Sequence, residues 1–143
     1  MTNNTDENKS LFSQIGAMGV SEKLDLARKG SKEARTLLMR DSNKIIQMAV
    51  ISSPKITDSE AALIAGSRQV KDEVLRYIAT KREWARKYPI RLALINNPKT
   101  PLALSIKMIP SLSSRDLGLL SKNKSVPRAL SNAAESRSKG KKR

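Results

Sequence analysis

Two stretches, MAVISSPKIT at residues 48–57 and LALINNPKTP at residues 92–101, match in kind at nearly every position. At an offset of 44 residues, Ala49 lies over Ala93, Val50 over Leu94, Ile51 over Ile95, Pro54 over Pro98 and Lys55 over Lys99. Ser52 and Ser53 fall over Asn96 and Asn97. Each stretch is an apolar run, two small polar residues and a proline. Proline lacks the N–H that an interior helical residue needs and pushes the residue before it out of the α region, so each run reads as a helix ending at its polar pair. Asparagine tolerates left-handed backbone and bonds its own turn, which makes Asn96 and Asn97 turn residues before they are candidates for a site. A new helix start follows in both copies. Thr57-Asp-Ser-Glu60 has capping-box spacing, and Thr100 precedes Pro101, a proline suited to a first helical position. A helix–turn–helix unit used twice predicts an all-α fold: a short right-handed α-solenoid of stacked helix–turn–helix repeats.

Outward from these turns, the chain offers further short helices. Residues 1–9 are polar and expected to be disordered, while Leu11, Phe12, Ile15 and Met18 fit one face of a capping helix. A helix over residues 21–29 stops at Gly30, and Ser31 caps the next, which carries Ala34, Leu37 and Leu38. After a polar turn at residues 40–43 comes the helix of Ile45, Ile46, Met48 and Val50. Beyond Thr57 one helix ends near Gly66, and another turns Val74, Leu75 and Ile78 inward. Residues 81–90 are the least regular; Trp84 and Tyr88 are four apart and share a face if one helix holds both, but Pro89 must break or restart it. From Pro101 a helix carries Leu102, Leu104, Ile106, Met108 and Ile109 up to Pro110. Ser113-Ser-Arg-Asp116 caps a helix whose core is Leu117, Leu119 and Leu120, and a last one starts at Pro127 with Leu130, Ala133 and Ala134. A second correspondence sets SRQVKDEVLRYIA (67–79) against NKSVPRALSNAA (123–134). The expected organisation is one helical-repeat domain over residues 10–136, followed by a disordered basic tail over 137–143.

Composition removes several classes of chemistry. The chain has no Cys and no His, which excludes the usual zinc sites, iron–sulfur clusters, cysteine nucleophiles and His-based triads. No glycine-rich phosphate loop is present, and no constellation of Asp, Glu, Lys, Ser or Tyr marks a catalytic centre. The expectation is a protein that is not an enzyme and carries no cofactor and no metal. No window approaches ~20 apolar residues, so no membrane span is expected. The N-terminal MTNNTDENKS lacks the basic start and apolar run of a secretory signal, which makes the cytoplasm the expected compartment.

The segments LMRDSN (38–43), IQMAVISSP (46–54) and IRLALINNPKTP (90–101) resemble the leucine-rich repeat variant family and, more broadly, HEAT-like bacterial α-solenoids. The resemblance covers roughly residues 36–134 and implies a solenoid that serves as a binding surface. In that family a segment like Asp-Pro-Asn precedes one helix and Asn-Pro-Asn-Thr-Pro the next. Here Ser42 stands where a proline is expected, and Ser52 and Ser53 replace asparagines. Some relatives of the variant family carry an N-terminal iron–sulfur cluster; a chain without cysteine has no means of holding one.

The strongest global signal is a formal charge of +15. Such an excess favours polyanionic partners, nucleic acid first, then an acidic protein or an anionic membrane face. Arg68, Lys71, Arg76, Lys81, Arg82, Arg86, Lys87 and Arg91 face only three acids in their segment, Asp72, Glu73 and Glu83. Lys122, Lys124, Arg128, Arg137, Lys139, Lys141, Lys142 and Arg143 have Glu135 alone among them. Arg82 and Arg86 are a like-charge pair four apart, offset by Glu83 and Lys87 if one helix holds all four. Lys55 and Lys99 hold equivalent places after the two Pro turns and are candidate paired contacts for an extended anion. The candidate polyanion contacts are therefore Lys55, Arg76, Arg82, Arg86, Lys87, Arg91, Lys99, Lys139, Lys141, Lys142 and Arg143. Trp84 and Tyr88 serve either as stacking platforms for bases or as packing between helices. Two functions fit: a basic module that binds nucleic acid through phosphates without reading sequence, or an adaptor that docks an acidic or helical segment of a partner protein.

Overall fold

The computed structural model describes residues 4–141, with side chains described over residues 10–140. Among the described residues there are eleven α-helices and no strand, and no helix is long and apolar enough to cross a membrane. The chain divides into two compact units, Met1–Thr57 and Asp58–Arg143.

The first unit holds α1 (Asn4–Ala17), α2 (Val20–Lys29), α3 (Lys32–Leu38) and α4 (Lys44–Ile51). α2 packs on α3 and α4, and α1 on α3. Ala27, Ala34, Leu38, Ile46, Val50 and Ile51 form the core. α1 starts within the stretch expected to be irregular, and of its apolar residues only Ile15 is buried; Phe12 is 64% exposed. The seven-residue α3 is about 10 Å long, too short to cover the whole apolar face of α1. The α2–α3 corner is tight. A Cβ at Gly30 would sit 2.6 Å from the Leu26 carbonyl oxygen and 3.1 Å from the Ala34 Cβ, so glycine is there for space and not for a left-handed φ. Ser31 caps α3 as expected, its Oγ accepting from the Ala34 N–H at 3.2 Å.

The second unit runs α5 (Asp58–Ala65), α6 (Asp72–Thr80), α7 (Arg82–Ala85), α8 (Tyr88–Ile95), α9 (Leu102–Met108), a 3-10 turn at Ile109–Ser111, α10 (Ser114–Ser121) and α11 (Arg128–Lys141). α5 packs on α8 and α6, α7 on both α6 and α8, and α11 lies along α10 and meets α9 and the 3-10 turn. Val74, Leu75 and Ile78 are buried, as their spacing predicts. A cluster of Ile95, Ile109, Leu112, Leu117, Leu120, Val126, Leu130 and Ala134 fills the other end. Leu119 departs from expectation at 59% exposed, because it lies about 200° around the helix from Leu117. Leu102 and Ile106 are also on the outside, at 36% and 41%. Pro101 stands just before α9, at its N-cap, instead of inside its first turn. Residues 137–141, expected as tail, continue α11, since extending a nucleated helix is far easier than starting one and cations favour a helix C-terminus. Lys142 and Arg143 lie outside the described residues.

One turn ends five of these helices. At Asp41, Ser53, Ser67, Asn97 and Asn123 the backbone N–H donates to the carbonyl three residues back, at 3.0–3.1 Å. In each, the side-chain oxygen accepts the N–H two residues ahead, from Asn43, Lys55, Gln69, Lys99 and Ser125 respectively, at 2.8–3.3 Å. The residues after Ser53 and Asn97, 44 apart, repeat a further bond: Ile56 N–H to Ser53 O and Thr100 N–H to Asn97 O. No described residue has a positive φ, so asparagine is used here for its hydrogen bonds and not for left-handed backbone. Asn97 does more than the others. Buried to 3%, its amide donates to the Ala65 carbonyl at 2.9 Å and the Ser67 carbonyl at 2.7 Å, joining the ends of α8 and α5. Asn97→Ala removes three bonds and leaves their partners in a buried site, a loss of about 2–4 kcal/mol. Asn97→Ser keeps the turn acceptor and is expected to lose roughly half of that, with urea denaturation as the readout.

Candidate functional site

The charge is unevenly divided. Asp58–Arg143 has nineteen Lys and Arg against seven Asp and Glu, whereas Met1–Thr57 has nine against six. In the second unit Arg68, Arg76, Arg82, Arg86, Lys99, Lys107, Arg115, Lys122, Lys124, Arg128 and Arg137 are exposed, and among the described residues none has a side-chain hydrogen bond or ion pair. The helix-ending turn helps to display them. Three of its copies in this unit carry a cation one or two residues past the turn residue: Arg68, Lys99 and Lys124. With the turn's polar groups bonded locally, these side chains project into water.

Other candidates are engaged. Lys87 Nζ pairs with Asp58 Oδ2 at 3.2 Å, and not with Glu83 as one continuous helix would have it. Arg91 donates from Nη1 to the Ala85 carbonyl at 2.9 Å, with its guanidinium 5.4 Å from the Tyr88 ring. Lys139 pairs with Glu135 at 3.3 Å. Lys55 belongs to the first unit, where its Nζ donates to the Lys29 carbonyl at 2.9 Å. It is therefore engaged within its own unit while Lys99 is free in the other. Lys141 ends α11, and Lys142 and Arg143 lie outside the described residues. Thus Arg76, Arg82, Arg86 and Lys99 remain available from the expected set. Lys107 and Arg115 were not expected; neither has a carboxylate three or four residues away, and that is the signal which finds them.

Stacking on bases does not fit Trp84, and Tyr88 does not share a helix with it. Tyr88 begins α8 with Pro89 in its first turn, so the two aromatics stand on different helices. Trp84 is 2% exposed. Tyr77 meets it edge-on at 6.2 Å, Lys81 Nζ lies 4.1 Å over its ring, and its Nε1–H donates to Asp58 Oδ1 at 3.0 Å. A buried indole N–H needs such an acceptor, and Asp58, the first residue of α5, supplies it. Tyr88 is a capping residue. Its hydroxyl donates to Asp116 Oδ2 and accepts the Ser113 N–H at 3.0 Å, beside the Ser113 Oγ that accepts the Asp116 N–H at 3.1 Å. Trp84 has no face open to a base, and Tyr88 is half-buried with Arg91 against its ring.

No family model, no curated protein and no solved structure matches this chain.

Asp58 has its carboxyl held below the usual range, first by the hydrogen bond from Lys87 and then by that from Trp84. Asp41 in the first unit is lowered likewise, first by Lys23, whose Nζ lies 2.6 Å away, then by the Asn43 N–H. A depressed carboxylate stabilises the fold fully above its ordinary value and loses that contribution as pH falls through the lowered one. Trp84 is the sole tryptophan, so its emission reports the Asp58 contact. Emission is expected to hold constant from neutral pH down to about 4 and to change below that. In Asp58→Asn, which keeps an acceptor but does not titrate, the low-pH step should be missing.

Proposed function

We propose that this chain is a non-enzymatic helical-repeat module whose second unit binds nucleic acid through its phosphates without reading sequence. The observation that carries the reading is the set of exposed cations with no carboxylate partner on Asp58–Arg143. A lysine already in an ion pair must leave it to meet a phosphate; Arg76, Arg82 and Arg86 have nothing to leave. Each phosphate neutralised releases condensed counterions, which drives association. The five turns of one hydrogen-bond pattern support the repeat reading, and a cytoplasmic site of action goes with it. The adaptor reading draws on Leu102 and Ile106, one turn apart on the outer side of α9, as a landing strip for an acidic helical segment.

Electrophoretic mobility shift across a salt series tests the first reading. Binding is expected at ~50 mM salt, weakening log-linearly with a slope of about −0.9 for each duplex phosphate contacted. Arg76→Gln, Arg82→Gln and Arg86→Gln should each reduce the slope by about 1, and Lys87→Gln by less. No binding at ~50 mM, or binding indifferent to salt, ends the proposal. Partners that survive nuclease treatment in a pulldown would favour the adaptor.

A further inference from the structure

We infer that the nucleic acid taken by this surface is a duplex, and not a single strand. The inference rests on the nucleic-acid reading above and concerns which form of the polymer that surface suits. Proteins that hold single strands without sequence preference combine a basic groove with aromatic platforms on which successive bases stack. The chain has four aromatic residues in all, one Phe, one Trp and two Tyr. Three lie in the basic unit; none is fully exposed, and each has a contact within the fold. Trp84 is sealed at 2% exposure with Lys81 over its ring. Tyr77 is half-buried with Trp84 against it, and Tyr88 is half-buried, its hydroxyl capping α10 and Arg91 against its ring. Phe12 is exposed, but it belongs to the unit with little excess charge.

This surface is rich in charge and, among the described residues, offers no fully exposed aromatic ring. A flexible strand must be ordered on binding, and here nothing but its phosphates would repay that ordering. A duplex arrives ordered and presents one charge per ~1.7 Å of axis, twice the density of one of its strands. A set of cations spread over several short helices gains most from such a dense, rigid array.

The test uses the full chain and fluorescence anisotropy at ~50 mM salt, a condition where phosphate contacts are strong. The probes are a labelled hairpin duplex, as DNA and as RNA, and a labelled oligothymidylate with the same number of phosphates. Either duplex is expected to bind about tenfold or more tightly than the single strand, with Trp84 emission unchanged by all three probes and single-strand affinity unchanged by Phe12→Ala. A single strand bound as tightly as the duplexes, quenching of Trp84, or a loss of single-strand affinity in Phe12→Ala overturns the inference and leaves the nucleic-acid reading standing. Failure of every probe to bind overturns that reading itself, and the inference with it.

Discussion

Helices of seven to nine residues do not persist alone in water, because nucleation is unfavourable and few bonds follow it. Apart from α1, α2 and α11, the helices described here have nine residues or fewer, so each must be ended cleanly and packed at once against a neighbour. The polar groups at a helix end are the difficulty, since an end tucked against another helix loses the water that would satisfy them. The turn at Asp41, Ser53, Ser67, Asn97 and Asn123 answers that with one side-chain oxygen placed after the last helical turn. Asn97 extends the device. Its amide satisfies carbonyls at the end of α5, so a single residue closes two helices.

Much of this could be read from residue order. Pro54 and Pro98 mark where helices cannot continue, Ser31 and Ser113 cap as their spacing predicts, and Gly30 ends α2. Those signals are local and depend on backbone chemistry that tertiary contacts do not alter. The inside and outside of a two-turn helix are different. In α10, Leu117, Leu119 and Leu120 offer two possible apolar faces, and only the position of α11 decides that Leu119 faces water. The site shows the same division. Basic residues were visible as such, but whether a given one was free depended on partners 26 to 29 residues away, as with Asp58 meeting Trp84 and Lys87.

Trp84 shows how packing set the chemistry of the surface. It is the largest side chain available to a thin core, and burying it required an acceptor for its N–H. Asp58 became that acceptor and drew Lys87 with it. Tyr88 was drawn in a similar way to the start of α10. Trp84 went to cohesion, while Arg76, Arg82, Arg86 and Lys99 stayed outside beside a few apolar side chains such as Leu102, Ile106 and Leu119.

That separation has a cost for the isolated molecule. Cations that have no carboxylate beside them repel one another, and the repulsion acts against the compact state. Added electrolyte should therefore raise the melting temperature of the free chain, contrary to a fold held together by surface ion pairs. Multivalent anions such as sulfate should do so at lower concentration than chloride.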